Sequence, residues 1–279
     1  MLVTLQRILL SLTALALLHS QLRAEDALFL ETVAFGGAVT RTWTTPKKQR
    51  TEVTADPGSD FAKMMSDIGA DAPQIRIVRL DLGVAWNLNP ADQTYTEEPL
   101  TLPHEPLPAP DSGEPPPEEP PPAQAPPVQL KEAPNPRTFA GHSAIGLELW
   151  ADDKRLGTLW VAPLQGPLAQ AQTLLETFHQ NEIETRFKDW PAKDRALFQG
   201  EPDLLAATPV AGTFWGGAAV QFEKLRRNFV LALQAGQEEP GIPPDTLLMQ
   251  VRDLKLAPPP PDAFTLPEGY KKTLSESGH

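Results

Sequence analysis

The five histidines are the side chains of this chain best suited to metal or acid–base chemistry. They are His19, His104, His142, His179 and His279, and no two of them form an HxH or HExxH spacing. Hydrolytic zinc sites are typically built from such short spacings. The sequence therefore predicts no metal site and no cofactor, and no histidine is assigned a catalytic role.

Carboxylates and nucleophiles give an equally weak catalytic signal. Asp152 and Asp153 are adjacent but fall in a predicted hairpin turn, where a solvated role is favoured over an acid–base couple. The chain has no cysteine, no GxSxG elbow and no P-loop. We expect a protein that is not an enzyme. A hydrolase is the least favoured alternative, and a polar cleft around His142 or His179 would revive it.

The six tryptophans are more informative than the polar residues. Trp86 and Trp160 fall on apolar faces of predicted strands. Ordinary core packing is one interpretation of these tryptophans. The other is an apolar pocket that binds an acyl chain or an apolar segment of a partner protein. The candidate lining of that pocket is Val84, Trp86, Leu88, Tyr95, Leu147 and Trp160.

The stretch 74–98 predicts three short antiparallel strands. Apolar residues occupy the even positions from 78 to 88, a period of two that places one set of side chains on a dry face. Turns are expected at residues 81–83 and 89–92. A four-residue second loop would place Leu88 opposite Gln93 and Trp86 opposite Tyr95.

Residues 1–24 have the features of a secretory signal peptide. Arg7 precedes an apolar run of eleven residues, 8–18, which is short for a membrane span. We expect cleavage near Glu25, a periplasmic or secreted location, and no transmembrane segment in the mature chain. An uncleaved amphipathic anchor is the alternative.

Residues 99–136 differ in composition from their surroundings. They contain 15 prolines, six acidic residues and one lysine. Such a segment lacks the apolar side chains needed to offset chain entropy, so we expect a long disordered, acidic, proline-rich loop. A spacer is favoured, and recognition by a proline-binding module is the alternative.

The loop is expected to interrupt one domain, with residues 25–98 forming its first half, residues 137–272 its second half, and residues 273–279 a polar tail. In the second half we expect a hairpin over 137–161 with Trp160 opposite Leu147. Gly166-Pro167 should begin a helix. A second helix is predicted over 218–235, stopped by Gly236, and a strand over 243–256.

Several short motifs occur in a recognisable order. They are R-x-D-x-G-V-x-W-x-L-x-P…Y over residues 79–95, FAGHS at 139–143, GTLWV at 157–161, GIP at 241–243 and FTLPEGYKK at 264–272. This order resembles a family of exported bacterial domains of unknown function that end in an LPxGY motif. Many relatives carry Cys where Ser143 stands here.

Those domains are similar to the lipoprotein-carrier fold of the LolA/LolB type. The resemblance implies an α+β fold: a strongly curved antiparallel sheet, an incomplete barrel, with helices packed on its concave side. It implies architecture more strongly than activity, because one fold hosts many functions.

The net charge of −12 disfavours nucleic acid as a partner. We expect a non-enzymatic binding protein that holds a lipid-like or apolar ligand in the concave face of the sheet. The alternative is an envelope protein–protein interaction module that uses the acidic proline-rich loop or a sheet edge.

Overall fold

The computed structural model describes residues 27–67, 72–104, 128–151, 153–195, 227–236 and 242–274. The predicted signal peptide, most of the proline-rich loop, Asp152 and residues 218–226 of the predicted second helix lie outside these residues. All statements below concern the described parts of the chain.

The described residues form a mainly β fold of the α+β class. Helices are α1 (Asp60–Asp67), α2 (Pro167–Arg186) and α3 (Ala192–Arg195). The strands are β1 (Ala27–Ala34), β2 (Ala38–Thr44), β3 (Lys48–Ala55), β4 (Gln74–Arg79), β5 (Val84–Asn89), β6 (Thr94–Pro99), β7 (Val128–Glu132), β8 (Arg137–Phe139), β9 (His142–Ala151), β10 (Lys154–Pro163), β11 (Asn228–Ala235), β12 (Leu247–Ala257) and β13 (Lys271–Lys272).

The strands belong to one large, unclosed sheet. Its order is β13-β6-β5-β4-β3-β2-β1-β12-β11-β10-β9-β7, and β8 pairs with β9 off this path. All neighbours are antiparallel except β13 and β6. The two halves of the chain join where β1 pairs with β12 over eight residues, from Ala27↔Ala257 to Ala34↔Met249. Strands from residues 27–99 and from residues 128–272 thus belong to the same sheet.

Helix α2 covers one face of the sheet. It begins where predicted, with Pro167 after Gly166, whose φ of 51° suits a residue without Cβ. Leu168 and Ala171 pack against strands β1, β11 and β12, and Phe178 packs against Val78 and Ala85. We call this the helix face. The opposite side, which the C-terminal residues 258–273 cross as a strap, is called the strap face.

The three strands predicted in residues 74–98 are present, but their side chains divide between the two faces. The β4–β5 register pairs Val78 with Ala85 and Ile77 with Trp86, an even number with an odd one each time. Val78 therefore lies on the helix face, whereas Trp86 and Leu88 lie on the strap face. The prediction of one dry face for all even positions is wrong. The β4–β5 turn pairs even-numbered residues of one strand with odd-numbered residues of the other, so the even positions of β4 and β5 lie on opposite faces.

The register between β5 and β6 also differs from the prediction. Asn89 pairs with Thr94, so the four-residue loop is 90–93 and not 89–92. Leu88 consequently faces Tyr95, and Trp86 faces Glu97. The shift arises because Asn89 stays in the strand while its side-chain oxygen accepts a hydrogen bond from the backbone N–H of Ala91.

The predicted helix over 218–235 is wrong in its second part, which is strand β11. Residues 229–235 are buried without exception, so the segment is apolar toward both faces of the sheet. A continuous apolar run has no period that separates a buried strand from a helix. Gly236 ends no helix; a Cβ there would collide with the backbone carbonyls of Arg155 and Leu156.

Two further differences concern the start of the second half. The predicted disordered loop includes Val128–Glu132, which is strand β7 on β9. The predicted hairpin is present, but its register shifts between Arg155 and Gly157, so Trp160 pairs with Gly146 and Leu147 with Leu159. Such a β-bulge moves the following side chains to the opposite face.

Candidate functional site

The C-terminal residues 258–273 form a strap across the sheet. The strap begins after Ala257, the last residue of β12, and ends as β13 beside β6. In the sheet order, strands β1 to β5 lie between these two ends. Ala263 and Phe264 are buried in this crossing. The run Pro258–Pro261 cannot continue β12, because proline lacks the N–H that a ladder needs.

Four of the six predicted pocket residues meet beneath the strap. Trp86 and Leu88 are buried there, together with Ile77, and Val84 and Tyr95 pack against this group. From above, the strap contributes Leu266 and Tyr270. These eight side chains, counting the partly buried Ile75, are called the strap cluster.

The other two predicted residues lie elsewhere. Leu147 packs with Leu159 and Val161 in a second cluster. Trp160 lies on the helix face, 5.9 Å from the ring of Phe139 and beneath the guanidinium of Arg137. The six candidates are therefore distributed over three apolar clusters rather than brought to one place.

The strap is held to the sheet by Arg79 and Arg50. Arg79 donates from Nη1 to the carbonyl oxygen of Phe264 at 2.9 Å, and Arg50 donates from Nη1 to that of Ala263 at 3.2 Å. Arg79 also binds both carboxylate oxygens of Asp81 at 2.8 Å. Hydrogen bonding raises the pKa of Arg79 and lowers that of Asp81, so the pair is ionised and orients the guanidinium toward the strap.

At the end of the strap, one carboxylate joins the sheet to β13. Glu97 accepts hydrogen bonds from Nζ of Lys272 at 2.7 Å and from Nε1 of Trp86 at 2.9 Å. The hydrogen bond from Lys272, followed by that from Trp86, lowers the pKa of Glu97. Backbone bonds from Lys271 to Gln93 and from Thr273 to Tyr95 complete the attachment.

Two clefts border the strap, and both are lined by Pro260, Pro261, Asp262, Ala263 and Thr265. The acidic cleft has a volume of about 780 Å³ and is lined by Trp43, Arg50, Glu52 and strap residues that include Asp262, Leu266 and Glu268. The basic cleft measures about 570 Å³. It is lined by Thr45, Pro46, Lys47, Lys48, Arg79 and residues 258–265.

None of the six predicted pocket residues lines either cleft. The strap residues were not among the predicted site residues, because Phe264–Lys272 was interpreted only as a motif at the end of the domain. A signal was present: a run of four prolines followed by Phe264, Leu266 and Tyr270 indicates an extended segment with apolar side chains to bury.

A buried polar network lies beside Trp160. Its Nε1 donates to Oε1 of Gln234 at 2.9 Å, and Gln234 donates to the carbonyl oxygen of Asp245 at 2.9 Å. Arg155 contacts Asp245 and lies 3.9 Å from Glu148. These bonds satisfy Gln234, which is 3 % exposed, and tie β10, β11 and the start of β12 together.

The polar residues considered for catalysis do not assemble. His142 lies at the start of β9, His179 on helix α2, and Asp153 in the β9–β10 turn. Within the described ranges no three histidine, aspartate or glutamate side chains are close enough to hold a metal ion. None of the described helices combines the length and apolar character needed to cross a membrane.

The comparisons with known proteins give no family for this chain. No family model, no curated protein and no solved structure matches it. The site is therefore interpreted from its geometry alone.

Proposed function

We propose that this protein is a non-enzymatic periplasmic or secreted binding protein that holds a lipid-like or apolar ligand beside its C-terminal strap. The observation that carries the proposal is the strap itself, which crosses an apolar cluster of the sheet and lines two clefts. Clefts of about 780 and 570 Å³ fall in the range of roughly 300–1,000 Å³ typical of small-molecule sites.

The chemistry of the cleft walls suits an apolar ligand. Trp43 is half-buried and lies 5.2 Å from Phe29, and proline rings and Leu266 face it across the acidic cleft. Rigid apolar walls with a few fixed charges are typical of ligand sites. The strap cluster beneath is filled by side chains, so the proposed ligand lies at the strap and not inside the sheet.

The strongly curved, incomplete barrel of lipoprotein carriers is the finer architecture that we propose for the sheet. The unclosed order of strands and the long helix α2, which lies on one face of the sheet, support it. Open sheets of this size tend to curl. The paired ends of β1 and β12 then carry the bend between the two halves.

A direct experiment is titration of the purified protein with the neutral probe N-phenyl-1-naphthylamine, followed by displacement with dodecanol. We expect saturable binding and full displacement. Pro260→Ala/Pro261→Ala, which removes two proline rings that line both clefts, should weaken both, whereas Pro99→Ala/Pro163→Ala, at two exposed strand ends outside the clefts, should not. Mass spectrometry of the protein as purified should detect a bound lipid. Absence of saturable probe binding would refute the proposal.

An envelope protein–protein interaction module is the second candidate. Strand β7 ends the sheet order and pairs on one side only within the described residues. A free strand edge can accept a strand from a partner. Capture of an envelope protein by the native chain, lost on replacing residues 105–127 or on Leu130→Pro in β7, would favour this candidate.

A further inference from the structure

We propose that the basic cleft binds the anionic head of an amphiphile, with a carboxylate or phosphate at Lys47 and Lys48 and the acyl chain along the proline-rich strap. This inference rests on the proposed function and adds the chemical class of the ligand. It also assigns the ligand to one of the two clefts.

The two clefts carry opposite charge. The basic cleft is lined by three cationic side chains, those of Lys47, Lys48 and Arg79, and by one acid, Asp262. The acidic cleft has one cation, Arg50, against three acids. The net charge of −12 repels anions over most of the protein surface. A local excess of lysine at one cleft therefore favours the binding of an anion at that cleft.

The lysines are available and the arginine is not. Arg79 is fully engaged by Asp81 and the carbonyl oxygen of Phe264. Among the described residues, no acid is paired with Lys47 or Lys48 by direct contact: Asp81, whose pKa the charge of Lys48 helps to lower, directs its carboxylate oxygens to Arg79. A charged group without a fixed partner at the wall of a cleft can pair with a ligand at little desolvation cost.

The remaining wall is apolar. Pro46 and the four prolines 258–261 line the basic cleft with Ala263 and Phe264. Proline rings offer apolar surface without a backbone donor, and their fixed φ keeps the strap extended. A chain of methylene groups laid along this wall is removed from water at about 0.8 kcal/mol for each CH₂ buried.

The turn between β2 and β3 fixes the two lysines. The hydroxyl of Thr45 accepts a hydrogen bond from the backbone N–H of Lys48 at 3.0 Å, and its backbone N–H donates to the carbonyl oxygen of Lys48 at 2.8 Å. Asn181 of helix α2 donates to the carbonyl oxygen of Pro46 at 2.7 Å. The backbone of the turn is thus held by both contacts, so that only the two lysine side chains must be ordered on binding.

The test is calorimetric titration of the purified protein with dodecanoate, dodecanol, dodecyltrimethylammonium and lysophosphatidylglycerol, each below its micellar concentration. We expect dodecanoate or lysophosphatidylglycerol to bind most tightly, and added salt to weaken them. The arm that binds best distinguishes a free fatty acid from a phospholipid. Lys47→Gln/Lys48→Gln should weaken the anionic ligand about tenfold, from two surface charge interactions, and leave dodecanol unchanged.

Lys63→Gln/Lys154→Gln is the matched control, since it removes two exposed lysines outside the cleft and should change no affinity. Equal binding of all four amphiphiles, unaffected by Lys47→Gln/Lys48→Gln, would overturn this inference and leave the proposed function standing. Failure of all four to bind would overturn both. A synthetic peptide of residues 105–127, which carries five acids and no base, serves as a further arm. Binding of this peptide to Lys47 and Lys48 without binding of dodecanoate would also overturn the inference.

Discussion

Trp86 and Glu97 face each other across β5 and β6, and the indole Nε1 donates to the carboxylate Oε2 at 2.9 Å. The same carboxylate binds Lys272 of β13. One cross-strand pair thus joins the apolar strap cluster to the end of the strap. The strength of this attachment depends on the ionisation of Glu97.

We predict that Glu97 makes the strap pH-sensitive. Its pKa is lowered in the folded protein, so its stabilising contribution is present above the unfolded pKa of about 4.3 and is lost as pH falls through the folded pKa. The free energy of unfolding in urea should be higher for the native chain than for Glu97→Gln at neutral pH. The two should converge well below pH 4.3. A difference that persists in acid would contradict the role of the charge.

The second prediction tests whether the strap covers Leu88. Leu88 is 6 % exposed in the strap cluster, whereas Leu82 is 55 % exposed in the β4–β5 turn. Leu88→Ala should cost about 2–5 kcal/mol of unfolding free energy, and Leu82→Ala less than about 0.5 kcal/mol. Urea unfolding of both variants measures this. Similar costs for the two would show that the strap does not cover Leu88.

These two leucines also show what the sequence can and cannot reveal. Alternation predicted all three strands of residues 74–98, because period two is a local property of the chain. The faces were not predictable, since they depend on whether the turn pairs an even with an odd position. The turn between β4 and β5 makes that choice, because it pairs Arg79 with Val84.

The same distinction applies to the second half. Helix α2 was predictable because Gly166-Pro167 and a stripe of apolar side chains mark it locally. Strand β11 was not, because residues buried on both faces carry no period. Of the candidate site, the sequence identified four members of the strap cluster but neither cleft. Clefts are formed by the crossing of the strap over β2–β4, which no local pattern encodes.

Gly236 provides a third prediction. A Cβ at this position would collide with the backbone carbonyls of Arg155 and Leu156, which side-chain rotation cannot relieve. Gly58 is a suitable comparison: its φ is +79°, but nothing lies within 4 Å of the added atom. Gly58→Ala should cost about 1–2 kcal/mol from backbone strain alone. Gly236→Ala should cost clearly more in urea unfolding, and an equal or smaller cost would contradict the close packing of β10 against the end of β11.

The fourth prediction concerns the limits of the proline-rich insertion. Leu100 is 3 % exposed beside Val78 and Phe178, and β7 pairs with β9 at five positions. Replacing residues 105–127 with a Gly/Ser chain of equal length should therefore leave the unfolding free energy within about 0.5 kcal/mol of the native value. Replacing residues 100–134 in the same way removes the burial of Leu100, about 1.5–3 kcal/mol, and an entire edge strand.

Comparing these two replacements shows whether residues 105–127 of the proline-rich loop contribute to the stability of the fold. If the shorter replacement destabilises the protein as much as the longer one, residues 105–127 contribute to the folded core, and their composition alone is a poor guide to their role. If only the replacement of residues 100–134 destabilises the protein, Leu100 and β7 belong to the fold, and residues 105–127 can be replaced without loss of stability. The shorter variant is then the appropriate protein for testing partner capture, because any loss of binding arises from the tract rather than from unfolding.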